Sequence, residues 1–182
     1  FQEDPKPTLA RRTSPTNLGL YLLSAVCARD FGWAGTTETV ERLEATLATM
    51  AGLQRFRGHF YNWYGTGDLQ PLDPQYVSSV DSGNLAGHLI ALANACREWI
   101  GQPMARPGLF AGVEDALNLA RETVRGFPGD GRTQTAHALD AAFDGLAATL
   151  RQDPVRSEDI AARVAALVSL ATTMADLART LA

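Results

Sequence analysis

The chain has 182 residues, 46% of them apolar and 20% charged, with a formal net charge of −4. That length allows one domain or part of a larger one, and the balance of apolar and charged residues is that of a globular protein. The charge leaves no basic footprint for nucleic acid or for an anionic membrane surface. The longest apolar runs, residues 18–28 and 85–96, are too short to cross a bilayer. The first residue is Phe1 with no signal-peptide pattern after it, so the chain is expected to be an excised segment or a processed product. Cys27 and Cys96 lie in apolar helical runs and are expected as buried, reduced thiols.

Residues 1–13 are polar, contain Pro5 and Pro7, and read as an extended arm; the rest, 14–182, reads as one helical segment. Ser14-Pro15 is a helix start, an N-cap followed by proline at the first helical position. The first helix is expected to run to about Asp30. Its run 18–28 is apolar on every face, which predicts burial all round. The second helix starts at Thr36 or Thr37 and ends before Gly52, with Val40, Leu43, Leu47 and Met50 in one stripe and Glu38, Glu41, Arg42 and Glu44 facing water. Alternation around Gly65-Thr66-Gly67-Asp68 predicts a short hairpin, residues 60–64 against 69–72.

Asp81 or Ser82 is expected to cap a third helix ending near Gly101, again apolar over most of its circumference. A fourth helix is expected over residues 110–125, a fifth over 133–150, and a sixth, capped by Ser157, to the C-terminus. Leu139, Phe143, Leu146 and Leu150 line one face of the fifth. The reading is six helices with almost no sheet. Among the first four, all-apolar and half-polar helices alternate. Two layers, inner helices screened by outer ones, account for that better than an up-down bundle, and an α/α toroid is such an arrangement.

The segment Arg57-Gly58-His59-Phe60-Tyr61-Asn62-Trp63-Tyr64 and the segment Tyr76-Val77-Ser78-Ser79-Val80-Asp81-Ser82-Gly83-Asn84 gather aromatic, amide and acid side chains between helices. Flat aromatic faces beside amides and carboxylates suit a sugar: a ring stacks on the sparsely polar face of a pyranose, and the polar groups take its hydroxyls. Candidate binding residues are His59, Tyr61, Asn62, Trp63, Tyr64, Asp81, Ser82 and Asn84. Tyr61 and Trp63 share one strand face, so Asn62 and Tyr64 are expected on the other, toward a cleft or solvent. Asp81 and Ser82 can equally be helix caps, and Asn84 can bond a backbone carbonyl instead of a hydroxyl. His59, His88 and His137 have no metal-ligand spacing with one another or with the cysteines, so no metal or cofactor is expected. The glycine-rich stretch 126–131 follows a helix and does not read as a phosphate loop.

These motifs carry a resemblance. Arg11-Arg12-Thr13-Ser14-Pro15-Thr16-Asn17-Leu18-Gly19-Leu20-Tyr21, Ala28-Arg29-Asp30-Phe31-Gly32, Arg42-Leu43-Glu44-Ala45-Thr46-Leu47 and the two aromatic segments are together similar to the central region of bacterial cyclic β-1,2-glucan synthases. The resemblance covers residues 11–99. It implies a very large inner-membrane parent in which one module elongates a β-1,2-glucan and a phosphorylase-like module trims it. Between them it implies a glucoamylase-like (α/α)6 barrel that cuts and recloses the chain by retaining transglycosylation. This chain would be a cytoplasmic segment, about half of that barrel, with β-1,2-glucan and the rest of the parent enzyme as partners. Gly65 stands where the family usually has an aspartate, and the family's two catalytic glutamate motifs have no counterpart here, so no catalytic residue is assigned. Half a toroid leaves its inner helices open on one side, which predicts self-association of the isolated chain. The competing reading is a helical binding or scaffold module without chemistry.

Overall fold

A computed structural model describes residues 6–102, 108–125, 134–152 and 156–181. It is all-α, with short strand pairs only, as the helical stripes predict. The helices are α1 (Pro15–Asp30), α2 (Thr36–Gly52), α3 (Ser79–Gly101), α4 (Ala111–Arg125), α5 (Gln134–Leu150) and α6 (Ile160–Leu181), the last preceded by a 3-10 turn, Ser157–Asp159. The strands are β1 (Arg12–Thr13), β2 (Arg55–Phe56), β3 (His59–Phe60) and β4 (Tyr64–Gly65). The chain divides into two units, residues 6–30 with 34–101, and residues 31–33 with the described residues from 102 onward. The stretch 126–131, Thr133, Asp153, Pro154 and residues 1–5 lie outside the described residues.

In the first unit, α1 begins as its sequence predicts. The Asn17 amide donates to Ser14 Oγ at 3.2 Å, a side-chain N-cap, and Pro15 occupies the position where an amide would have no helical partner. One core is built from Leu22, Ala25 and Val26 of α1, Leu43 and Met50 of α2, and Leu85 and Leu92 of α3. The α1–α3 seam is tight at Gly19. A Cβ there would run into the His88 ring Nδ1 and come within 2.8 Å of its Cγ and 2.9 Å of its Cβ. Thr16 meets Asn84, Gly19 meets His88, and the Arg29 guanidinium lies 4.5 Å from the Trp99 ring centroid. Positions on both helices advance together, so α1 and α3 run parallel with their N-termini at the same end.

The helices expected to be buried all round are open on one side. Leu20, Tyr21 and Cys27 of α1 are exposed, as are Val80, Ile90 and Ile100 of α3. Cys27 is therefore not the buried thiol that its apolar neighbours suggested. The physical reason is that α1 is covered by α2 and α3, and α3 by α1, only over part of the circumference, and apolar periodicity does not record whether a further partner is present. Val40 and Leu47 of the α2 stripe are likewise partly exposed, while Leu43 and Met50 are buried.

A hairpin that the sequence reading did not foresee forms just before the expected one. Arg55 pairs with Phe60 and Phe56 with His59 around a two-residue turn in which Arg57 (φ 48°) and Gly58 (φ 87°) both have positive φ. Such a turn matches the twist of the flanking strands. The signal was weak because arginine is not a residue that favours positive φ. The predicted pairing of 60–64 with 69–72 survives in reduced form: Leu72 N donates to Trp63 O, Gly65 N donates to Gln70 O, and Tyr64 bridges Pro71. The outer edge of that loop is taken by the N-terminal arm, whose β1 pairs antiparallel with β4, Arg12 opposite Gly65 and Thr13 opposite Tyr64. The described part of the arm is thus anchored at its end by β1.

In the second unit, Leu117 of α4, Leu139, Phe143 and Leu146 of α5, and Leu167 of α6 form a separate core. Arg163 of α6 closes the end of α5: its Nη2 donates to the carbonyls of Thr149 (2.6 Å) and Leu150 (2.8 Å), which have no partner within the helix. Its guanidinium also lies 5.1 Å from the Phe110 ring centroid. Helix α6 is long and apolar enough over Ile160–Thr180 to cross a membrane by length and composition. Leu167 faces the core and Val164 and Val168 are exposed.

Candidate functional site

The N-terminal ends of α1 and α3 meet the loop between α2 and α3 at one carboxylate, Asp81. The third helix is capped by Ser78 rather than by Asp81 or Ser82: the Asp81 amide donates to Ser78 Oγ at 3.1 Å, and the helix starts at Ser79. Asp81 is three residues past this cap, the position from which a side chain reaches back to the start of its own helix. It also reaches the start of α1. Ser14 and Ser78, the caps of the two parallel helices, each accept an amide from their own helix, and both stand with Thr16 near enough to the Asp81 carboxylate to favour its charged form. Partial burial alone would raise the carboxyl pKa, but the bonds from Thr16, Ser78 and Ser14 outweigh it and hold the group below the ordinary aspartate value. Two helix N-termini facing one carboxylate act in the same direction.

Asn62 supplies the next link. It is 6% exposed, and its backbone amide donates to the Tyr76 carbonyl at 2.9 Å. With its side-chain nitrogen toward Asp81 Oδ2 (2.8 Å), its oxygen accepts from the Tyr76 hydroxyl (2.6 Å) and from Trp63 Nε1 (2.6 Å). The opposite orientation sets the amide oxygen against the carboxylate and the NH2 against the indole N–H, so the first is the one that satisfies every group. Asn62 is thereby a buried connector from Asp81 to Trp63 and Tyr76. The Arg12 guanidinium stands 4.9 Å from the Trp63 ring centroid, covering one face of the indole and leaving the ring half-buried.

Tyr64 is fully buried, at 0% exposure. Its hydroxyl donates to the Gln54 carbonyl at 2.7 Å and accepts the Tyr61 amide at 2.8 Å, and burial pushes its pKa up. The expected facing is therefore reversed: Asn62 and Tyr64 point inward, and Tyr61 and Trp63 keep partial exposure. The alternation itself holds, and the inward face is the one whose side chains bond to Tyr76, Asp81 and Gln54. The Tyr61 ring meets Tyr64 edge-on, centroids 6.4 Å apart.

The structure thus brings Asn62, Trp63 and Asp81 into one network. Asn84 joins it through an Nδ2–Thr16 Oγ1 bond of 3.2 Å and is exposed rather than held in a buried turn. Ser82 is half-buried in the first turn of α3, and His59 is exposed on the hairpin, away from these bonds. Tyr76, Thr16, Ser14 and Ser78 are site residues absent from the sequence-derived set. The Ser14 cap was legible, but nothing along the chain indicates that it and Ser78 converge on one acid. Gly65 is buried, and a Cβ there would lie 2.5 Å from Asp68 Oδ1, so the Asp68 carboxylate fills the space that a longer residue would enter. Among the described residues, no group of three or more His, Cys, Asp or Glu side chains gathers as for a metal ion.

Over 134 residues, 73% of this chain, the sequence is 53% identical to the cyclic beta-(1,2)-glucan synthase NdvB of Rhizobium meliloti (strain 1021). The chain spans about 5% of the length of that relative. No protein-family model matches it.

Proposed function

We propose that this chain, which belongs to the cyclic β-(1,2)-glucan synthase family, supplies part of the glucan-binding wall of the domain that cuts and cyclises β-1,2-glucan. The observation that carries the reading is the convergence of Trp63, Asn62, Tyr76 and Asp81 at the shared N-terminal end of two parallel helices. In an α/α toroid the inner helices run parallel, and their starts surround one mouth. Helices α1 and α3 fit adjacent inner helices, with α2 as the outer helix between them in sequence.

Within that wall the residues divide by what they have left to offer. Trp63, Tyr61 and Tyr76 retain ring surface for a pyranose, and Asn84 retains an exposed amide for its hydroxyls. Asp81 and Asn62 spend their hydrogen-bonding capacity on the protein and hold the Trp63 indole in place. Tyr64 braces the loop from inside. Retaining transglycosylation needs two carboxyl groups about 5–5.5 Å apart, one acting as acid and one as nucleophile. Asp81 has a carboxyl pKa below the ordinary aspartate value, which does not suit donation of a proton, and its bond to Asn62 commits it to the protein, so the acid/base pair is expected elsewhere in the parent enzyme. That parent would hold this segment on the cytoplasmic side of an inner membrane.

Isothermal titration of the chain with linear β-1,2-glucan tests the reading. Binding is expected, and Trp63→Ala should weaken it about tenfold, the equivalent of ~1.4 kcal/mol. No heat of binding with a folded chain would favour a scaffold role. The open apolar sides of α1 and α3 give a second expectation. Leu20, Tyr21, Val80, Ile90 and Ile100 are exposed together with the small residues between them, so the isolated chain should self-associate. A monomer throughout the micromolar range in sedimentation velocity would contradict this.

A further inference from the structure

We infer a second carbohydrate-binding site, remote from the Asp81 network in the sequence and built on Trp33: a stacking platform for a β-linked glucose unit, completed by the Asp115 carboxylate. Phe31 and Trp33 are exposed at 57% and 64%, and their rings lie 5.2 Å apart, tilted by 39°. Two large aromatic side chains presented together to water are uncommon without a ligand or partner.

The platform is fixed, not merely exposed. Gly32 has φ +76°, a conformation that places Phe31 and Trp33 on a tight turn and that favours glycine. Its carbonyl abuts Gly112 so closely that a Cβ at Gly112 would collide with Gly32 O and lie 2.7 Å from Trp33 Cδ1. The indole Nε1 donates to Asp115 Oδ2 at 2.9 Å, which locks the ring about its side-chain torsions. Asp115 is itself exposed, so its carboxylate lies open to water at the edge of an exposed indole. An indole whose polar edge is already satisfied offers only its electron-rich face, and the C–H-lined face of a glucopyranose is complementary to that surface. A carboxylate at the ring edge accepts a pair of neighbouring hydroxyls through charge-assisted bonds. A second copy of this chain could also cover the rings, and the titration below separates the two occupants. The choice of glucose rests on the reading that this chain meets β-1,2-glucan. The site itself would let a long glucan be held at a second point while its end is processed.

The test uses the full 182-residue chain labelled at the indole nitrogens. Trp33, Trp63 and Trp99 give three N–H resonances, assigned by Trp33→Phe and Trp63→Phe. On titration with a linear β-1,2-linked gluco-oligosaccharide, the Trp33 resonance should shift saturably while Trp99 stays still. Asp115→Ala, an exposed change, should weaken that response at least fivefold without altering the response at Trp63. A shift at Trp63 with none at Trp33 overturns this inference and leaves the wall reading standing. A shift at Trp33 alone does the reverse. Stillness at both overturns both. A Trp33 shift produced by concentrating the chain without sugar marks an interface between copies and also overturns the inference.

Discussion

Asp81→Ala should lower the stability of the first unit by about 2–3 kcal/mol, because it strands the buried amide of Asn62 and removes the charge that two helix N-termini favour. Asp81→Asn should cost less, since it keeps the shape and some acceptor capacity but loses the charge that both helix N-termini favour. The pH dependence separates charge from shape. The folded carboxyl pKa lies below the unfolded value, so its contribution is fully present above the unfolded aspartate pKa of about 3.9. It is lost as pH falls through the folded value. The stability difference between wild type and Asp81→Asn should therefore be constant from neutral pH down to about 5 and shrink below about 4. Denaturant melts followed by circular dichroism across that range would show it. A difference that persists unchanged at low pH would mean that the charge carries none of the effect. If the wall reading holds, the same variant should also weaken glucan binding indirectly, by releasing Asn62 and with it the Trp63 indole. Stability and affinity would then fall together.

Gly19→Ala should destabilise the α1–α3 seam by about 2–3 kcal/mol, an overpacking cost that exceeds the helix-propensity gain of about 1 kcal/mol for replacing glycine with alanine. The added methyl meets not only the His88 ring but also His88 Cβ, which moves only with its backbone. Rotating the imidazole therefore does not relieve the contact, and the helices must separate. His88→Ala in the Gly19→Ala background removes the ring and should restore part of the loss, giving a favourable coupling in a double-mutant cycle. His88→Ala alone should be mild, because it also removes a buried Nδ1 that has no hydrogen-bond partner. Equal costs for Gly19→Ala in the presence and absence of the His88 ring would show that the seam has slack that the structure does not contain.

Much of the helical framework was written in local sequence. Ser14-Pro15 set the start of α1, Gly52 and Gly101 the ends of α2 and α3, and the Leu139–Phe143–Leu146 stripe the buried face of α5. These signals depend on backbone amides and apolar spacing within a turn or two, so they survive in a one-dimensional reading. The motif order from Arg11 to Asn84 likewise carried the family, and the identity to the glucan synthase of Rhizobium meliloti bears that out.

The remainder depended on which distant groups met. Apolar run length could not say that α1 and α3 each keep an open side, because burial is a property of neighbours and not of the residue. Strand alternation misassigned Asn62 and Tyr64, since their direction follows from bonds to Tyr76, Asp81 and Gln54 far along the chain. Asp81 looked like a cap or a ligand in isolation. Only the parallel packing of two helices, with Gly19 admitting His88 between them, brings both capped helix starts to its carboxylate and makes it the junction of the site.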